Sequence, residues 1–418
     1  MKICLVAQTF APQKEGGAEI SSRHTAENLS QRHEVVVLSL GRAGQAGAAP
    51  GPCASGGPYR LHRLRYRNSY LPEVGKAPAG RLARALWHLR NGLGAIDRAE
   101  LAAFLTAERF DLIYAQNSAA LQPALYRVAR ELGVPVCQHL RDYALLCPRT
   151  SMHRTGKNCA TPCLGCRVLT ARKRRAARSV GTTIAVSDFV RRRFAGSGVF
   201  AQAEAHVLHN TNTNRALPTV PTRRADSPPG CFTFGYLGAL SPEKGLEVLL
   251  AAFAALPARL PPWVAPRLLI GGQGSAGYVA GLKARSAAGA VEWLGQVAPD
   301  EVFGRADAMV VPSLWHEPQS RVLIEAAVRG LPTLAAGTGG TTEVVRDQRL
   351  GWCYEADRPE ALTALMARAA RNGPEAFRES LATAFPGLVG FKGTAEETGF
   401  YPALETILQA AAAAQARP

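Results

Sequence analysis

The sequence predicts an α/β protein of two doubly wound domains that face each other across a cleft. Three observations carry this. The chain has 418 residues, and a single hydrophobic core stops growing near ~250–300 residues, so two cores are expected. Short apolar runs that read as buried parallel strands alternate with helical stretches along nearly its whole length, the pattern of βαβ units. Glycine-containing turns follow several of those strands, at the carboxyl ends where open α/β sheets hold ligands. Hydrophobic residues make up 47% and charged residues 19%, which excludes a disordered chain. No apolar run reaches the ~18 residues of a membrane span. The strand-like run from Ile3 begins directly after Met1 and Lys2, so neither export signal nor anchor is expected, and the setting is cytoplasmic.

The first domain is expected over residues 1–212. Residues 2–7 and 34–40 read as parallel core strands. Between them lie a glycine loop with Gly16 and Gly17 and a helix ending near Leu29. Backbone NH groups of such a loop can approach a phosphate or sugar at the helix start; the same pair also suits a plain tight turn. An extended piece at 59–66 and one helix over 82–105 come next. Strands at 111–116 and 135–140 flank a helix at 119–132. Arg141, Asp142 and Tyr143 then stand at the carboxyl edge of the sheet. A strand at 182–186 ends in Ser187, whose hydroxyl is placed to cap a helix over 188–194, and 207–210 closes the domain.

Residues 213–230 hold Pro218, Pro221, Pro228 and Pro229 with no periodicity and read as a linker. The second domain, 231–395, opens on a strand at 232–237. Lys244 and Gly245 follow, then a helix to about Leu256, strands at 267–270 and 291–294, and the turn Gly271-Gly272-Gln273-Gly274. A tail helix within 396–418 is expected to pack back on the first domain. The most informative stretch is 307–345: a strand at 308–312, a polar loop with Glu317, a helix over 320–329, a strand at 332–336 and a glycine turn. The run from Val322 to Val328 is apolar almost all round, yet Glu325 lies in its middle. A buried carboxylate needs a partner, either a hydroxyl-rich ligand or a neighbouring arginine.

Charge is unevenly placed. Residues 1–215 hold 31 Lys and Arg against 13 Asp and Glu, the whole excess behind the formal charge of +17. Such a field draws an anionic membrane surface or a phosphorylated acceptor, or else it is a solubilising surface. A nucleic-acid protein is excluded by the lack of any zinc-finger, RRM or helix-turn-helix pattern. An NAD enzyme is excluded because the turn at Gly271 lacks the third glycine and the acidic residue in register. Cys147, Cys159, Cys163 and Cys166 are spaced as a small zinc knuckle could be, with reduced structural thiols as the other reading.

The residues around Glu317 and Glu325 resemble the retaining sugar-nucleotide glycosyltransferases of the GT-B fold, family 4-like, with an E-x7-E motif. The two glutamates are eight apart. YLGALSPEKG, LLIGGQGS, ADAMVVPS, EAAVRGLPTLA and GGTTEVV follow the family's second lobe in order, and EGGAE, the DY...CP segment and IAVSDFVRR follow the first. The resemblance implies two Rossmann-like domains. Glu325 would bind the ribose of a UDP- or GDP-sugar, and Glu317 the hydroxyls of the sugar. Lys244 would pair with the diphosphate, and the amides of Ser320, Arg321 and Val322 would cradle it, with Gly16, Gly17 and Gly274 lining the donor site. No metal is required if lysine and a helix terminus supply the positive charge.

Three departures stand out. Ala239 replaces the family's usual arginine, and Arg321, usually apolar, is a candidate substitute unless it pairs with a nearby carboxylate. Arg141 stands where many relatives have histidine before Asp-Tyr, so either Arg141 binds the donor sugar or His139 is simply a buried strand residue. Gln319 and Ser320 replace a common Phe-Gly, and Ser320 can still cap the helix. The function implied is transfer of a sugar, with retention, to an acceptor hydroxyl in glycan, polysaccharide or glycolipid assembly. The acceptor, glycan or lipid-linked, would dock on the basic first domain at the membrane face, where the run Arg172–Arg178 is either a membrane contact or a solvated helix face. An inactive scaffold that only binds sugar nucleotides is the alternative.

Overall fold

The structure, a computed structural model, describes residues 1–10, 17–41, 51–53, 56–68, 80–212, 228, 230–286, 289–395 and 398–415. Two compact units divide the chain. One comprises Met1–Met152, Cys159–His209 and Gly399–Pro418, the other His153–Asn158 and Asn210–Thr398. Apart from Pro228 and Gly230, the stretch 213–230 expected as a linker lies outside the described residues.

In the first unit β1 (Lys2–Ala7) leads through α1 (Gly17–Leu29) to β2 (Glu34–Gly41), β3 (Gly51–Cys53) and β4 (Arg60–Arg65). Next come α2 (Arg81–Gly94), α3 (Arg98–Glu108), β5 (Leu112–Asn117), α4 (Gln122–Glu131) and β6 (Val136–Leu140). A small hairpin, β7 (His153–Arg154) and β8 (Lys157–Asn158), groups with the second unit. Then α5 (Leu164–Ala177), β9 (Thr182–Ala185), α6 (Asp188–Ala195) and β10 (Glu204–Val207) complete the sheet, in the order β10-β9-β6-β5-β1-β2-β4-β3. Its pairs are parallel except β3 with β4. Ile3 to Ala7 are fully buried, as a strand covered on both faces must be, which is why it reads as an unbroken apolar run.

The strand order reverses between β1 and β5, the switch point of an open sheet. There the chain puts amides rather than apolar groups. Gln8 Oε1 accepts from the Ala120 amide at 3.0 Å, Ser22 donates to Gln116 at 2.9 Å, and Tyr126 donates to Gln138 at 2.5 Å. The single helix expected over 82–105 is two. Asp97 accepts from the Ala99 amide at 2.9 Å and starts α3, while Ile96 bridges to Tyr66; helix periodicity runs across such a break, but an N-cap ends it. Ser187 caps α6 as expected, accepting from Val190 at 3.3 Å.

The second unit runs β11 (Cys231–Leu237), α7 (Leu246–Ala255), β12 (Ala265–Gly271), α8 (Ala276–Ala284), β13 (Val291–Gly295), α9 (Pro299–Phe303) and β14 (Ala308–Val311). It continues with α10 (Arg321–Val328), β15 (Thr333–Ala336), α11 (Thr341–Asp347), β16 (Gly351–Tyr354), α12 (Pro359–Ala370) and α13 (Gly373–Ala384). Its sheet is parallel throughout, ordered β13-β12-β11-β14-β15-β16, so the switch lies between β11 and β14. Phe232, Phe234, Leu249, Leu323 and Leu334 lie in its core, each contributing ~1.5–3 kcal/mol by leaving water. The last helix, α14 (Phe400–Gln415), belongs to the first unit. It buries Leu404 and Leu408, and Glu405 pairs with Arg32 at 2.7 Å and His33 at 2.8 Å. Among the described residues no helix is long and apolar enough to cross a membrane.

Close approach of two loops at the second switch point depends on Gly245. Its φ is 73°, and a Cβ there would overlap the Pro312 carbonyl. Gly245→Ala is therefore expected to cost at least ~2 kcal/mol, left-handed strain plus displacement of that carbonyl; an unshifted urea midpoint would contradict the packing.

Candidate active site

Two loops at the carboxyl edge of the second sheet form the site. The one after β11 turns through a single 3-10 turn, Pro242–Lys244, held by a Ser241 to Glu243 hydrogen bond of 2.7 Å. The one after β14 carries Glu317. They are tied by the Leu314 amide donating to the Glu243 carbonyl at 2.9 Å, and by an ion pair of 2.8 Å from Lys244 Nζ to Glu317 Oε1. Ser313 donates to the other carboxylate oxygen at 2.7 Å. Glu317 is thus only 8% exposed yet satisfied at both oxygens. Lys244 also lies 5.5 Å from the centre of the Trp315 ring. Gly339, with φ 61°, presses on the backbone of Glu317, and Gly340 donates to its carbonyl at 2.9 Å.

Glu325 lies on α10, eight residues on. Its side chain is 24% exposed, so the nearly all-round apolar run buries it less than the pattern suggested, and Arg321 Nη2 stands 3.4 Å from Oε1. The neighbouring arginine is therefore present, and it pairs along its own helix. Burial holds the Glu325 carboxyl above its usual range, although Arg321 and Arg329 oppose the shift. Arg329, 4% exposed, is itself held by Asp300 at 2.5 Å and by the Glu325 carbonyl at 2.8 Å. Ser320 departs from expectation: its side chain makes no capping bond, and its amide donates to Thr341 Oγ1 at 3.1 Å. That leaves the amides of Arg321 and Val322 as the first-turn donors that could face an anion.

The remaining candidates on this unit are backbone features. The Ala239 carbonyl accepts from Tyr236 at 2.7 Å. Gly274 bridges to Leu240 so closely that no Cβ fits. On the first unit, Arg141 Nη1 donates to Ser21 at 2.9 Å. His139 is buried in β6, its Nδ1 2.6 Å from the Tyr114 hydroxyl, and burial drives its pKa well down. Gly17 is the first residue of α1; Gly16 lies outside the described residues. The four-cysteine zinc reading is corrected. Cys147 and Cys166 sulfurs approach to 3.9 Å, and the Cys166 thiol is pushed up to about 12 by burial and its thiol neighbours. Among the described residues, however, no three His, Cys, Asp or Glu side chains are placed to share a metal ion.

One contributor was invisible in the sequence. Asn158, on the β7–β8 hairpin, donates to the Leu314 carbonyl at 2.7 Å and accepts from the His316 amide at 2.9 Å. It brackets the loop that ends in Glu317. Gln319, visible in the sequence only as a departure, makes a second bracket: its Oε1 accepts from the Asn210 amide at 2.7 Å. Neither residue type nor spacing signals such a side-chain-to-backbone bracket, because its two ends are over a hundred residues apart.

Two family descriptions match in succession: "Glycosyl transferase 4-like domain" over residues 16–211 and "Glycosyl transferases group 1" over 223–384. The chain belongs to this glycosyltransferase family. An uncharacterised 42.6 kDa protein of the cps region of Klebsiella pneumoniae is 25% identical over 349 residues, 83% of this chain and 88% of that one. A D-inositol 3-phosphate glycosyltransferase of Stackebrandtia nassauensis is 34% identical over 166 residues, 36% of this chain and 37% of that one. Among solved structures, sucrose-phosphate synthase of Thermosynechococcus elongatus superposes with a TM-score of 0.72 at 17% identity, covering 98% and 99% of the chains. Anabaena HepE in complex with UDP gives 0.60 at 21%, covering 95% and 99%. At such identities the likeness establishes the fold, GT-B.

In this glycosyltransferase, Asn158→Ala should release the Glu317 loop locally. We expect the His316 amide to exchange about tenfold faster or more, for a hydrogen bond worth ~1–1.5 kcal/mol, with global stability little changed. Unaltered exchange at His316 would show that the bracket is not needed.

Proposed function

We propose that the enzyme moves a sugar from a nucleoside diphosphate sugar to an acceptor hydroxyl with retention of configuration, in glycan, polysaccharide or glycolipid assembly. The observation that carries this is the Lys244–Glu317 pair of 2.8 Å beside the start of α10, with Glu325 on the same helix. Lys244 is the cation for the diphosphate. When it turns to a phosphate, Glu317 is released to the hydroxyls of the donor sugar, which donate to the carboxylate in the lysine's place. The first-turn amides of α10 and the Arg321 guanidinium add positive character where the leaving diphosphate gains charge. Glu325 accepts the ribose hydroxyls. Anabaena HepE, a protein of similar fold solved in complex with UDP and with UDP-glucose, supports a donor of this class. Front-face attack with the departing phosphate taking the acceptor proton is the mechanism this reading adopts.

In this reading the acceptor docks on the first unit, at the cytoplasmic face of a membrane. Support comes from the outer faces of α2 and α5. Leu82, Leu86 and Leu89 at helical spacing on α2, and Leu164 and Val168 on α5, are exposed. Exposed Arg167, Arg172 and Arg175 flank the α5 pair, and neither helix carries an acidic residue. Apolar side chains ringed by arginine suit an anionic bilayer surface.

Three outcomes test this reading. Glu325→Gln should weaken donor binding by about tenfold or more, the scale of a charged hydrogen bond, and Lys244→Ala should lower kcat by ~10²-fold or more, both read with a panel of UDP- and GDP-sugars. An inverted product anomer in NMR would remove retention, and lack of nucleotide-sugar binding would leave only a scaffold. Sedimentation with vesicles should require anionic lipid; equal sedimentation with neutral vesicles would remove the membrane part.

A further inference from the structure

A cavity of about 290 Å³ lies in the first unit, at the switch point of its sheet. Its floor is made by residues at the carboxyl ends of three strands, Gln8 after β1, Asn117 at the end of β5 and Asp142 after β6. Its roof comes from the inner faces of α2 and α5, which contribute His88 and Lys173, and Arg149 stands in the loop at its side. These are the same two helices whose outer faces carry the exposed leucines and arginines.

Lys173 is the unusual lining residue. It is 8% exposed, and among the described residues its ammonium donates only to the Ala119 carbonyl, at 2.5 Å. A buried ammonium with three donors and one neutral acceptor is under-compensated. Asp142 offsets part of the charge electrostatically, and its own carboxylate is partly engaged by the Ala144 amide at 2.7 Å. Burial still lowers Lys173 to about 8 and raises Asp142. Arg149 is exposed and forms no ion pair among the described residues. Burial lowers the pKa of His88, and Lys173 and Arg149 push it the same way. The charges of Lys173 and Arg149 against Asp142 leave the cavity cationic, and the amides of Gln8 and Asn117 beside them suit hydroxyl groups.

We propose that this cavity is an acceptor subsite for an anionic sugar, one bearing a phosphate or a carboxylate, with Lys173 and Arg149 binding the anion and Gln8 and Asn117 facing the ring hydroxyls. It rests on the glycosyl-transfer reading above and narrows its acceptor to a charged class. Lys173 gives it a pH signature. The groups facing it are His88 from α2, Asp142 from the loop after β6, and Arg149. Below about pH 8 the ammonium is charged and holds the anion; as pH rises through that value its share is lost.

The experiment is a titration of the full-length protein with glucose 6-phosphate, glucuronate and glucose, alongside UDP as a separate control. Either charged sugar, or both, should bind at least about tenfold more tightly than glucose. Arg149→Ala should lose about tenfold of that affinity. Lys173→Met, checked for an intact melting transition, should remove the weakening seen in the parent between about pH 7 and about pH 9. Tighter binding of glucose 6-phosphate than of glucuronate assigns a phosphate, and the reverse a carboxylate. The proposal is overturned if glucose binds as well as the charged sugars, if none of them binds, or if the Arg149→Ala variant binds them unchanged. Should Lys173→Met fail to fold, the Arg149→Ala result and the glucose comparison decide alone. Loss of UDP binding in the parent protein would instead count against the glycosyl-transfer reading, so the two failures are distinguishable.

Discussion

The second unit is organised around one contact, the ion pair between Lys244 and Glu317. Each residue sits on a loop that leaves the sheet at its switch point, Lys244 at the end of a single 3-10 turn. What fixes them is close backbone approach. Gly245 lets the first loop lie against the Pro312 carbonyl, Gly339 lets a third loop lie against the backbone of Glu317, and the Leu314 amide crosses to the Glu243 carbonyl. The charged pair is therefore positioned by glycines, and its two oxygens are shared between a lysine and Ser313. With Lys244 and Ser313 on its two oxygens, the Glu317 carboxylate is satisfied within the protein itself.

Desolvation imposes the same rule elsewhere. Arg329 is almost wholly buried and is held by Asp300 and a backbone carbonyl. Glu325 keeps Arg321 at one turn's distance. Lys244, Glu317, Arg321, Glu325 and Arg329 thus each have a partner within the protein, as burial of charge demands. In the first unit, among the described residues, the Lys173 ammonium donates to one carbonyl and is offset by the field of Asp142, and that imbalance, rather than any motif, marks its cavity.

Much of the fold was legible. The central strands of both sheets are continuous apolar runs because both faces are covered, and the glycine turns fall at their carboxyl ends. The break between α2 and α3 was not legible, since the apolar spacing continues across it and only the Asp97 cap, with Ile96 paired to Tyr66, interrupts the helix. The Glu317 and Glu325 spacing could be read directly. Their surroundings could not. Ser320 had the residue type of a cap, yet its side chain makes no capping bond, and its amide donates to Thr341 on the next helix, a contact over 21 residues that local spacing does not show.

The sequence by itself determined the class of fold, the order of its elements and the family, because periodicity, turn chemistry and ordered motifs are local properties of the chain. Only the tertiary structure decided which charges meet. Lys244 and Glu317 are 73 residues apart and Asn158 is 156 from Leu314. Such pairings depend on which loops the sheets bring together, and on how far burial strips water from the groups they carry.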